Sequence, residues 1–313
     1  MTSLNTVFSR LSMRRRYEVW FLRLGLADGS GAWWFRYLLM NPGQNGCPGN
    51  SLGMPVQVWA TWFPLAGKPQ TFIQGFPLDG LALSPRERSP FHFSVAGNQI
   101  GEDSCAGQME AQGHRIRWNL QYRSAFAATL SHKGWIGFSR SPHSDATFSG
   151  EIAFDGQVFR GEPVGFGVQG HNCGFRHRHS WAWTHAYFAQ ADGPATTLEA
   201  LVYEMPMGLQ FRKAILWHEG REHRLNIKKT LRDRNALQWE LVCANRDWDI
   251  AVTVDGSGDS IHRLPYLRTD CSGSFAVSNN SLANASVRIR TREGRTQELH
   301  CRGQAVIEMT GDY

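Results

Sequence analysis

The chain has 313 residues, is 42% hydrophobic and 19% charged, and carries a formal charge of +6. That composition excludes a disordered chain, and the length allows one large β unit or two ordinary domains. The basic residues are mostly dispersed, dense only over Met13 to Arg16 and Arg176 to His179, and sit in no helix-turn-helix, zinc-finger or RNP pattern, so no nucleic-acid partner is expected.

In chain order, strand signals dominate. Arg16 to Leu26 and Trp33 to Met40 flank the turn "ADGSGA" and predict a hairpin. "NPGQNGCPGNSLGMP" reads as a loop. Val56 to Phe63, "PQTFIQGFPL" and Ile116 to Tyr122 read as further strands, and Asp155-Gly156 as a tight hairpin turn. After Gly174 the pattern recurs: "RHSWAWTHAYFA", the turn "QADGPA", "TTLEALVYEMPM", then strand candidates as far as "AVIEMTG". Short helices fit only near Pro85 to Arg88 or Ser281 to Ala285. Trp118 and Trp239, each followed by x-Leu, form a faint internal echo. Turn signals at this spacing suit sandwiches or barrels, so the expected fold is all-β, with two similar antiparallel β-domains over residues 1–162 and 163–313.

Six cysteines are spread along the chain with no CxxC pair. Free thiols in a reducing compartment are the simplest expectation, and with it a cytoplasmic location. No apolar run is long enough for a signal peptide or a transmembrane helix.

The stretch "GHNCGFRHRHSWAWTHA" holds four histidines and two tryptophans. Taken as extended from Arg176, its alternate residues His177, His179, Trp181, Trp183 and His185 share one face. Three readings stand open. The rings pack a core; or they line an apolar cavity with a few polar groups; or His177 and His179 hold a metal. The cupin spacing fails, because Trp183 and Thr184 occupy the places where its Glu would stand. Cys173 beside His171 gives no nucleophile pattern, and "GFGVQG" lacks the Lys-Ser/Thr of a phosphate loop. Near the N-terminus, Glu18 shares a strand face with Trp20 and Leu22. Arg36 in the next strand is its expected partner across the hairpin.

"RRYEVWFLRL…WWFRYLL" followed by "GFGVQGHNCGFRHRHSWAWTHAYF" resembles the tandem lipocalin-like family, which includes AttH-like proteins, carotenoid hydratase and fungal Diels–Alderases. The resemblance implies two barrel-like domains around an apolar ligand cavity and chemistry on isoprenoid or polyketide molecules without a cofactor. It implies His171 and Glu18 as proton-handling residues. It implies ligand contacts from Trp20, Arg36, Asn172, His177, His179, Trp181, Trp183 and His185. A non-catalytic carrier and a His-ligated metal protein are the competing readings. The chain departs from the hydratase-like members at two places: Gly170 stands where they carry Asp, and Cys173 where they carry Trp.

Overall fold

The computed structural model of the chain describes residues 4–177, 180–191 and 193–311. The first sheet comprises β1 (Tyr17–Leu26), β2 (Gly31–Met40), β3 (Val56–Pro64), β4 (Gln70–Phe76), β5 (Leu81–Leu83), β6 (His92–Val95), β7 (Asn98–Gly101), β8 (Ser104–Ala111), β9 (His114–Arg123), β10 (Ala128–His132), β11 (Gly137–Phe154) and β12 (Gln157–Gly174). The second comprises β13 (Trp181–Phe188), β14 (Thr196–Glu204), β15 (Gln210–His218), β16 (Arg221–Asp233), β17 (Gln238–Ala244), β18 (Trp248–Asp255), β19 (His262–Leu267), β20 (Ser274–Thr291) and β21 (Thr296–Thr310). The fold is all-β: among the described residues the only helical pieces are short 3-10 turns. None is a helix long and apolar enough to cross a membrane. Ser281 to Ala285, where a helix was an option, lies inside β20, and Pro85 to Arg88 forms a turn.

The second sheet closes. Its order runs β18-β17-β16-β15-β14-β13-β21-β20, and β18 pairs again with β20, so eight strands form a barrel with no free edge. The first runs β4-β3-β2-β1-β12-β11-β9-β8-β7-β6-β5 and curls on itself, bringing Phe72 of β4 to 5.8 Å from the ring of Phe154 in β11. The two units are tandem antiparallel β-barrels, the first a half-open one. Period-2 alternation explains both. Even residues of β1, such as Trp20, Leu22 and Leu24, pack inside the first unit, while Val19 and Phe21 face the second. Ala182 and Ala186 point into the second barrel. Trp118 and Trp239, the pair in the sequence echo, are each buried in their own unit's core.

The chain passes from one sheet to the other between Gly174 and Trp181, so the expected division at 162/163 falls within β12. The β11–β12 hairpin turns at Asp155-Gly156, both at positive φ, as the sequence indicated. The glycines of "GFGVQG" lie in β12, not in a loop. A Cβ at Gly167 would stand 1.9 Å from the Arg23 carbonyl oxygen, so the close approach of β12 to β1 requires glycine there.

Two features clasp the units together. Arg23 of β1 is fully buried and donates to the Gln304, Gly303, Ala305 and Ser281 carbonyls of the second unit. Burial lowers it to about 10, still cationic at neutral pH. The second feature corrects the expectation of six free thiols. Cys47, after β2, and Cys271, after β19, form a disulfide across 224 residues. Cys105, Cys173, Cys243 and Cys301 are free and buried.

Candidate functional site: a cavity between the two units

The face of β1 and β2 that turns away from the first unit's core meets the outer face of β13. Rings from both sides pack there: Phe21 against Trp183 at 5.7 Å and Trp34 against Trp183 at 6.3 Å. They do not fill the space. A cavity of about 580 Å³ opens between the units, and Arg36, Asn172, His177, Trp181 and Trp183 line it. Five of the residues singled out from the sequence are therefore brought together. His179 lies outside the described residues.

The polar centre of the cavity is Arg36, Glu308 and Tyr266. Trp181 Nε1 donates to Glu308 Oε1 at 2.9 Å, and the Tyr266 hydroxyl donates to Oε2 at 3.0 Å. Burial pushes the Glu308 carboxyl above its ordinary range, opposed by the Arg36 charge and by these donors. The Arg36 guanidinium lies 4.3 Å from the Tyr266 ring centroid and 4.7 Å from that of Trp59, in cation–π range of both. His177 stacks on Tyr17 at 4.0 Å and touches Trp181 and Tyr266. Desolvation, assisted by Arg36, lowers it to about 3, so it is a neutral ring in the wall. Among the described residues no three His, Cys, Asp or Glu side chains cluster to hold a metal ion.

The other candidates lie elsewhere. Glu18, His171 and Trp20 face the first unit's interior, on the opposite side of β1 from the cavity. Arg36 is not the partner of Glu18. The β1–β2 register sets Arg36 opposite Phe21 and Glu18 opposite Leu39, and residues directly opposite share a face. Glu18 instead accepts from the Phe8 and Ser9 backbone at 2.8 and 2.6 Å, and its Oε1 lies 2.9 Å from His171 Nε2. Both side chains are fully buried. His171 Nδ1 faces the Leu4 carbonyl at 3.2 Å, and Trp20 stacks on the ring at 4.9 Å. The pair ties the N-terminal segment to the first sheet. Arg16 Nη2 donates to Cys173 Sγ at 3.1 Å, and burial pushes that thiol up, which keeps it protonated. His185 lies at the junction with its Nε2–H donating to the Ser144 carbonyl at 2.7 Å, and burial lowers it to about 3.

Behind Trp183 sits Glu199, which sequence reasoning did not single out. It accepts from Trp183 Nε1 at 2.9 Å and from Ser141 Oγ at 2.8 Å. Burial raises its carboxyl from 4.5 to about 7. Between those values the unfolded chain releases this proton and the folded chain keeps it. Stability contributed by Glu199 is thus present below about 4.5 and is lost as pH rises through about 7. Glu199→Gln is expected to flatten that fall, measured as unfolding free energy by denaturant titration across the window. An unchanged slope would exclude Glu199 as its source. Glu308 and Glu199 both carry the signal that drew attention to Glu18, a carboxylate within an apolar strand run.

No protein-family model and no curated protein sequence matches the chain. Solved structures do. CghA, crystallised with Sch210972, superposes with a TM-score of 0.66 at 12% identity, covering 99% of this chain and 94% of that one. Kievitone hydratase from Nectria haematococca gives 0.57 at 10% identity, covering 100% and 96%. A putative AttH from Nitrosomonas europaea gives 0.53 at 12% identity, covering 97% and 94%. At these identities the likeness is one of fold, and over nearly its whole length this chain has the tandem lipocalin-like fold that those proteins share.

Proposed function

We propose that the protein binds a hydrophobic small molecule, isoprenoid- or polyketide-like in class, in the cavity between its two units and transforms it by proton transfer without a cofactor. The carrying observation is the cavity of about 580 Å³, walled by rings of both units with a buried Arg36 and Glu308 at its centre. Its size falls in the range of small-molecule sites, and mostly apolar walls with a few convergent polar groups are what such sites require. A structural neighbour crystallised with Sch210972 and another that is a hydratase support the same general kind of function.

In this reading the proton-handling groups are Glu308 and Tyr266, which reach the cavity. Glu308 presents a carboxyl raised by burial, and aromatic faces of Trp181 and Trp183 stand where positive charge on a carbon skeleton would be stabilised. Glu18 and His171 hold the first sheet and the N-terminal segment in place. Native mass spectrometry of the protein as expressed tests the binding step. A co-purified apolar molecule, or failing that saturable one-to-one uptake of Nile red, is expected. Absence of both would remove the reading.

A further inference from the structure

Resting on that reading, we infer that the ligand carries an anionic oxygen, a carboxylate or an enolate of comparable acidity, and that Arg36 with Trp34 binds it. Arg36 is 6% exposed, and Arg36 Nη1 has no hydrogen-bond partner among the described residues. A buried guanidinium without a hydrogen-bonded anion is costly, and its planar fork of donors is suited to a carboxylate-like group. Two residues earlier on β2, on the same face, Trp34 Nε1 is also buried and unpartnered. Both residues line the cavity, with the Arg36 guanidinium 5.9 Å from the Trp34 ring centroid. On the same sheet face, opposite Val19, Asn172 Oδ1 is a third polar atom without a partner.

The sign of the charge follows from the surroundings. Both Glu308 oxygens accept from the wall, one from Trp181 and one from Tyr266, so Glu308 is held away from direct pairing with the guanidinium. The charged residues lining the cavity are four basic ones, Arg15, Arg36, Lys133 and Arg176, against the acidic Asp270 and Glu308. Arg15 and Arg176 are exposed, so they add attraction at its rim while Arg36 supplies the buried contact. A purely hydrocarbon ligand would leave Arg36 Nη1, Trp34 Nε1 and Asn172 Oδ1 dry and unmet, whereas one with an anionic oxygen meets the first two.

The test compares 1-pyrenebutyrate with 1-pyrenebutanol, which share a skeleton and differ at the terminal oxygen, by fluorescence titration of the whole protein at neutral pH. The acid is expected to bind at least about tenfold more tightly than the alcohol, the size of a charge-assisted hydrogen bond. In Arg36→Met the preference is expected to vanish while alcohol binding persists. Arg36→Lys, which keeps the charge, is expected to retain part of it and guards against a loss caused by misfolding. Equal affinity for the two probes in the unaltered protein, or an undiminished preference in Arg36→Met, would overturn the inference. If Nile red binds but neither pyrene probe does, the inference fails and the cavity reading stands. If none of the three binds and no apolar molecule co-purifies, both fail.

Discussion

Replacement of Glu18 by Leu is expected to cost about 3–5 kcal/mol of folding stability, the usual penalty for breaking a fully buried polar pair from one side. Every polar atom of the pair is committed. Glu18 accepts from two backbone N–H groups, Phe8 and Ser9, and faces His171 Nε2. Removing the carboxylate leaves those donors and the imidazole dry. Trp20 stacks on the imidazole and Phe138 meets it edge-on, at 4.9 and 4.7 Å, so the surroundings of the pair are apolar rings. The N-terminal segment should then detach first, because its Phe8 and Ser9 amides lose their acceptor. Denaturant titration reads the stability, and hydrogen exchange at Phe8 and Ser9 reads the detachment. His171→Leu alone should cost less, since Glu18 keeps its two amide donors. A Glu18→Leu variant within about 1 kcal/mol of the parent would show that the pair is not an anchor.

How much of this was legible in the sequence depends on distance along the chain. The sequence reads as extended from Arg176, whereas the strand begins at Trp181; within it Trp181 and Trp183 share the face toward the first unit, because strand parity is a local property. The first hairpin followed from its turn residues for the same reason. The Glu18–Arg36 pairing failed through register: parity within each strand was right, but which face of β1 meets which face of β2 is set by the pairing, and that puts Arg36 with Phe21. The Cys47–Cys271 link spans 224 residues, and no spacing pattern marks it. Glu308 lies 127 residues from the Trp181 that donates to it. Its strand "AVIEMTG" carried the visible anomaly of an acid among apolar residues, yet nothing local said that its face would meet Arg36. The cavity is a product of two sheets meeting, so its composition could be read only once both faces were known.

Gly170→Asp should be among the most damaging single substitutions in the chain, and it should fail to install a proton donor. Gly170 of β12 sits opposite Phe21 of β1, and a Cβ there would lie 2.1 Å from the Phe21 ring. No side chain fits while that ring stays. Phe21 in turn holds its edge against Trp183 and contacts Trp34, so expelling it dismantles the wall between the units. Overpacking of this kind costs about 1–3 kcal/mol, and an acid forced into an apolar junction adds a comparable penalty. The expected result is a loss of roughly 3 kcal/mol or more, together with loss of Nile red binding. Gly170→Ala isolates the steric part. Combined with Phe21→Ala, it should be less destabilising than the sum of the single changes by about 1–2 kcal/mol, because the smaller residue at 21 vacates the space that the new Cβ needs. Strict additivity, or a Gly170→Asp protein as stable as the parent, would show that the ring does not occupy that space. If the coupling is found, glycine at this position and phenylalanine at 21 are one choice: the Phe21 ring fills the space that a side chain at 170 would need. The proposed proton transfer accordingly rests on the other side of the cavity, which Glu308 and Tyr266 line.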